Sequence, residues 1–271
     1  KLLFCFSYIL KYYNMLMSYK RSKDFTIFKK KKIKYLLLSH KSQITVVFFH
    51  GFMSDMTGKK PKQIQKFCRK NKINFLKFEY SGHGKSSGKF INGNISQWTN
   101  EAKKLIKAKA KNKLIFVGSS MGSWIALNLI KSFKTKIKGF VGIASAPDFL
   151  EELMWKKFNK KIKKTIMNNK VYNLKNDNFI YPITKQLIFD GKKNKILNKK
   201  IDNRMDVVLF HGLKDNTVPL KFSIKTLKIF KNAKKKLIKI KNGDHSLSRK
   251  SDLKKITNEL KLLILDIKNF N

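Results

Sequence analysis

The chain has 271 residues, of which 42% are hydrophobic, so it can bury one sizeable core and is expected to be globular. Its formal net charge is +46, from 62 basic and 16 acidic residues, yet 58 of the basic residues are Lys and only four are Arg (Arg21, Arg69, Arg204, Arg249). Readers of bases and phosphates favour the planar Arg fork, so no specific nucleic-acid partner is expected; the Lys are spread along the whole chain and fit A/T-rich codon usage. Anionic partners are still drawn at low salt. Two cysteines, Cys5 and Cys68, exclude a disulfide framework and a CxxC metal pair.

In chain order, residues 1–24 read as an N-terminal extension with an apolar run, LLFCFSYIL, about half a membrane span long; Met15 and Met17 are candidate starts. No other run is long enough to cross a bilayer. Residues 25–28 and 35–38 read as strands, paired in a hairpin. Short apolar runs then predict strands at 44–49 (ITVVFF), 75–80 (FLKFEY), 114–117 (LIFV), 139–143 (GFVGI), 207–210 (VVLF) and 237–240 (LIKI). Between them lie helical patterns at 61–70, opened by Pro61, and at 96–110, with Ser96 at the N-cap. Residues 120–133 place Trp124, Leu127 and Ile130 on one stripe, and further helices follow at 219–231 and 251–267. Alternating strand and helix imply an α/β fold with a mostly parallel, doubly wound sheet over residues 25–271. Residues 148–203 are too long for an ordinary connection and read as a small helical cap, with polar loops near 173–178 and 190–200.

The chemistry begins at Gly118-Ser119-Ser120-Met121-Gly122, a G-x-S-x-G pattern. The pattern alone is weak, because Gly84-Lys85-Ser86-Ser87-Gly88 matches it too. Context favours Ser120: a strand precedes it and a helix follows, the setting in which a tight turn lifts a serine hydroxyl clear of the backbone. Ser86 is followed by a loop, and a phosphate-binding reading of Gly84-Lys85-Ser86 fails because Glu79 stands where a glycine is required. A serine needs a base, and the base an orienting acid. Asp215, after VVLF, and His245, after LIKI, follow Ser120 in the right order at C-terminal strand edges, where open α/β sheets bind ligands. Asp206 lies before its strand, Asp202 lies in the cap linker, Asp244 adjoins the histidine, and His40 and His83 precede the serine. The backbone N–H groups of Met121 and of Phe52, in the loop after ITVVFF, are the candidate oxyanion donors. Met53, Trp124 and Trp155 are candidate walls of a substrate pocket.

The segments GFMSDM, YSGHGKSSG, VGSSMGSW, GIASAPDFLEELMW, HGLKDNTVP and GDHSLS, with Trp98, resemble one branch of the α/β-hydrolases. That branch holds alphaproteobacterial hydrolases and a mitochondrial acyl-glucuronide esterase and palmitoyl-protein thioesterase. The similarity runs from about residue 44 to the C-terminus. It implies the α/β-hydrolase fold, Ser120, Asp215 and His245 as catalytic residues, and a thioester or activated ester, small or acyl-protein, as substrate. Ser123 stands where relatives usually carry Gly, and the cap is heavily Lys-substituted. No metal or organic cofactor is implied, and the oligomeric state is left open. A bacterial cytoplasm is the expected compartment, or a mitochondrion in a eukaryote. A serine peptidase, a C–C hydrolase and a non-catalytic Lys-rich binding protein on the same scaffold are the alternatives.

Overall fold

The structure, a computed structural model, describes residues 25–28, 31–176 and 179–269; the apolar N-terminal run and Cys5 lie outside them. Strands β1 (Phe25–Phe28) and β2 (Lys31–Leu38) pair antiparallel, the expected hairpin. They are followed by β3 (Ile44–Phe49), α1 (Lys59–Lys70), β4 (Asn74–Phe78), α2 (Ile95–Lys109), β5 (Lys113–Ser119), α3 (Met121–Leu129) and β6 (Ile137–Ile143). The long segment comes next. It holds a π-helical stretch, Leu150–Trp155, then α4 (Lys160–Asn169), β7 (Val171–Asn176), β8 (Phe179–Thr184) and α5 (Lys185–Lys193). The chain ends with β9 (Asp206–Gly212), α6 (Lys221–Ile229), β10 (Lys234–Ile240) and α7 (Lys250–Asn269).

One sheet orders its strands β1-β2-β4-β3-β5-β6-β9-β10. From β4 to β10 every pairing is parallel, and β2 joins β4 antiparallel. The central strands alternate between two cores. Val47, Phe49, Leu114 and Phe116 face the layer of α2, α3 and α6. Val46, Phe48, Ile115 and Val117 face α1 and α7. This two-sided burial explains the unbroken apolar runs of β3 and β5. The edge strand β10 differs: Lys234, Lys235 and Lys236 are exposed, a charged edge that discourages pairing with another sheet. Among the described residues no helix is long and apolar enough to cross a membrane.

Several predicted details shift. The N-cap of α2 is Asn94, whose side chain accepts from the Gln97 N–H; Ser96 sits inside the first turn and bonds Asp190 instead. The predicted stripe on α3 is buried as expected, but so is nearly the whole helix, Met121 through Leu127 and Leu129. It is wedged between the sheet and the long segment, so no face remains for solvent. The segment itself combines helices with the antiparallel pair β7–β8, so residues 173–176 of the expected polar loop at 173–178 are strand instead.

Asp148 closes that segment at its base. Its backbone is left-handed (φ 58°), and its buried carboxylate accepts the N–H groups of Ile196 at 2.8 Å and Leu197 at 3.0 Å. The start and end of the segment are thereby joined across 48 residues. Asp148→Ala leaves two buried donors unpaired and is expected to lower the unfolding free energy by about 3 kcal/mol, read as a lower urea midpoint.

Candidate active site

Parallel strands deliver their C-terminal ends to one edge of the sheet. The chain runs from β3 to β4 on one side and from β5 to β6 on the other, so a crevice opens at the end of β5. Ser120 sits there, between β5 and α3, with φ 52° and ψ −120°. That conformation is strained for any residue with a side chain. The two flanking glycines make it possible. A Cβ on Gly122 would collide with the carbonyls of Phe49 and His50, and one on Gly118 with the backbone of Ser123. The Ser120 N–H bonds the Ile143 carbonyl at 2.9 Å, and its carbonyl accepts from Ser123 and Ala146. Ser123 is fully buried: its hydroxyl donates to the Gly118 carbonyl at 2.7 Å and accepts from Ser145 at 3.1 Å. The hydroxyl that Ser123 brings where relatives usually carry Gly is thus satisfied inside the turn.

The three residues predicted to act together are brought together. Ser120 Oγ lies 3.1 Å from His245 Nε2, and His245 Nδ1 lies 2.8 Å from Asp215 Oδ2. The other carboxylate oxygen of Asp215 accepts the N–H groups of Thr217 (2.9 Å) and Val218 (2.8 Å). Burial disfavours the Asp215 carboxylate, but the hydrogen bond and charge of His245 and these two amides outweigh it, and its pKa falls below the usual value. An ionised Asp215 fixes His245 with its Nδ1 proton toward the acid and its Nε2 lone pair toward the serine.

A residue not singled out by sequence supports this carboxylate. His211 is fully buried, and its Nε2 donates to the Val218 carbonyl at 2.9 Å, leaving Nδ1 to accept from Ser223 at 2.8 Å. Burial lowers its pKa against the pull of Asp215, so it props the loop as a neutral ring. The clue was its place in HGLKDN, at the very end of β9.

The other candidates have structural duties. Ser86 donates to the Glu79 carbonyl and accepts from the Lys34 N–H, so its hydroxyl is spent inside a turn. Asp244 accepts from the Leu247 N–H, and Asp202 from Asn232. His50 and His83 are buried with ring centroids 5.0 Å apart. His50 bonds the Gly51 carbonyl through Nδ1 and the Tyr80 N–H through Nε2, which shapes the loop that follows β3. In that loop an added Gly51 Cβ would lie 3.5 Å from Ser120 Cβ, so this backbone abuts the serine. Phe52 follows directly, and Met121 is the first residue of α3, where a helix leaves its amides without intrahelical acceptors.

A cavity of about 750 Å³ opens beside Ser120 and His245. Its apolar lining includes Phe52, Phe149, Leu153, Met154, Phe158, Leu174 and Tyr181, most of them from the long segment. Met53, Trp124 and Trp155 are not among the lining residues. Met53 points outward, 42% exposed. Trp124 is fully buried, donating to the Asn194 carbonyl and packing edge-on against Phe149. Trp155 is half-buried beneath the ammonium groups of Lys163 and Lys192. The aromatic contribution to the cavity comes from Phe48, Phe52, Phe149, Phe158 and Tyr181 instead. Among the described residues no group of three His, Cys, Asp or Glu side chains could hold a metal ion.

A mostly parallel sheet flanked by helices, with a serine on a strained strand-to-helix turn, defines an α/β-hydrolase fold. The chain belongs to the Hydrolase_4 family, described as serine aminopeptidase, S33, which matches residues 40–186. It is 28% identical over 214 residues to the mitochondrial palmitoyl-protein thioesterase ABHD10 of Bos taurus, covering 77% of this chain and 69% of that protein. Among solved structures, a protein from Agrobacterium vitis S4 described as a hydrolase superposes with a TM-score of 0.84 at 29% identity, covering 89% of this chain and 96% of that one. Mouse alpha/beta hydrolase domain-containing protein 10 superposes with a TM-score of 0.83 at 25% identity, covering 91% and 99%. The protein is therefore a hydrolase of this fold.

Because the Gly122 position abuts two carbonyls, Gly122→Ala is expected to lower Tm by roughly 10 °C or more, measured by calorimetry.

Proposed function

We propose that the protein hydrolyses carboxylic esters or thioesters through an acyl-enzyme on Ser120. The observation that carries this reading is the continuous line from Asp215 through His245 to Ser120, at 2.8 and 3.1 Å. His245 Nε2 takes the Ser120 proton as Oγ attacks the carbonyl carbon. The negative charge that develops on the carbonyl oxygen is met by the Met121 and Phe52 N–H groups, each worth roughly 3 kcal/mol of barrier. The tetrahedral intermediate collapses, the C–O or C–S bond to the leaving group breaks, and His245 returns the proton to it. Water then gives a proton to His245 and attacks the acyl-enzyme, releasing the acid and restoring the serine.

The apolar cavity supports an acyl chain as the group transferred to Ser120, and the named activity of the bovine relative points the same way. In this reading residues 148–203 act as a cap that supplies most of the acyl wall, on a single domain spanning 25–271. The family's description favours a second reading, peptide-bond cleavage with the same three residues.

Ser120→Ala is expected to lower kcat/KM for p-nitrophenyl butyrate by about 10⁴-fold or more and to abolish labelling by a fluorophosphonate. Undiminished turnover in the variant would falsify the role of Ser120. A matched aminoacyl p-nitroanilide separates the two readings, since faster anilide than ester cleavage favours the peptidase. Leu174→Trp adds bulk to the apolar wall of the cavity. It is expected to lower kcat/KM for a p-nitrophenyl laurate about tenfold while leaving the acetate within twofold.

A further inference from the structure

Two lysines near the site are turned inward although the surface offers ample room for cations. Lys77, on β4, is buried, and its ammonium donates to the Met56 carbonyl at 2.9 Å, in the loop that follows β3. Lys60 is the more telling. It sits in the first turn of α1, where a positive charge opposes the helix dipole, so helix formation does not explain it there. Its half-buried side chain crosses to the loop after β10. There its ammonium donates to the backbone carbonyl of Ser246, the residue next to His245, and approaches Ser248 Oγ at 3.4 Å. Ser248 Oγ in turn donates to the same carbonyl at 3.1 Å and accepts from Ser246 Oγ at 2.7 Å. Leu247, between them, holds a left-handed φ of 45°. Lys60, His245, Ser246 and Ser248 all line the cavity that holds Ser120.

We propose that Lys60 is a positioning residue, which holds His245 in line with Ser120 by clamping the Ser246 carbonyl. This rests on the hydrolytic reading of the site, and it assigns a role to a residue outside the proposed triad. The clamp joins α1, which follows the proposed oxyanion loop, to the loop carrying the proposed base, 186 residues away. A charge-assisted hydrogen bond is about twice as strong as a neutral one. Losing the ammonium proton therefore weakens the clamp while every heavy atom of the side chain stays in place.

The charges around Lys60 are of both signs. Asp244 lies in the clamped loop beside His245, and Asp252, at the start of α7, is already engaged by Arg249. Lys59 adjoins it on α1, and Asp55, bonded to Thr57, lines the same cavity. Burial lowers the Lys60 pKa to about 8, against the pull of Asp244 and Asp252. The ammonium is favoured below that value and the neutral amine above it, so kcat is expected to fall through an alkaline limb near pH 8. Burial also brings Lys77 to about 8, so the lysine responsible must be separated by substitution.

The test compares wild type, Lys60→Arg and Lys60→Met between pH 6 and 9, with kcat and KM for p-nitrophenyl butyrate and hydrogen exchange of the 244–248 backbone. At pH 7 Lys60→Met is expected to lose about tenfold in kcat, the worth of one charged hydrogen bond, with KM changed less than twofold. Lys60→Arg, which stays charged, is expected to recover most of that rate and to move the alkaline limb upward by more than one pH unit. Exchange of the 244–248 amides is expected to quicken in Lys60→Met and to stay near wild type in Lys60→Arg at pH 7. A limb that stays near pH 8 in Lys60→Arg, or a kcat of Lys60→Met within twofold of wild type, overturns the proposal. An inactive wild type counts against the hydrolytic reading, and the exchange comparison then decides the clamp alone: unchanged exchange in Lys60→Met sinks it.

Discussion

The backbone turn at Ser120 is sterically open only because its neighbours at 118 and 122 have no side chains, and everything around the site is arranged to hold it. A residue in such a conformation costs about 1–3 kcal/mol. The strain persists because β5 on one side and α3 on the other are buried almost completely, and because Ser120 itself is bonded to Ile143 and Ala146 at the end of the neighbouring strand. Relaxing the turn would require repacking both elements. The hydroxyl is therefore presented at a fixed point, and the loops from β3, β9 and β10 need only reach that point.

Those loops are held by polar contacts as well as by apolar packing of Val218 and Leu247. His50 bonds its own loop, His211 props Val218, Lys77 grips Met56, and Lys60 grips Ser246. Each is a donor aimed at a backbone carbonyl, which fixes a peptide plane in a way that a hydrophobic contact cannot. Burial keeps both histidines neutral, each with one nitrogen to donate and one to accept. Polar residues at the ends of buried strands thus do the aligning, while the strands themselves supply stability.

Much of the fold was legible because two-sided burial writes itself as short apolar runs, and because G-x-S-x-G between strand and helix has few structural meanings. The order of Ser120, Asp215 and His245 was readable from their places after three strands, since parallel strands must end on one edge. What could not be read were contacts that cross the chain. Met53, Trp124 and Trp155 are large apolar residues, but Met53 points outward, Trp124 faces a helix end and Trp155 lies under lysines. The cavity wall comes from Phe158, Leu174 and Tyr181, whose spacing carries no periodic signal across a hairpin. The N-cap at Asn94 was hidden by a serine two residues later, an equally good capping type. Lys60 and Lys77 were invisible among 58 lysines.

The pairing of Ser120 with His245 spans 125 residues, and that of Lys60 with Ser246 spans 186. Contacts of such sequence separation form late, because the loop they close must lose its entropy first. During synthesis β3 and β5 can align, and the turn at Ser120 can form, long before β10 exists to carry a histidine. In the proposed mechanism the serine then has no base until nearly the whole sheet has assembled, which makes reactivity one of the last properties that folding confers.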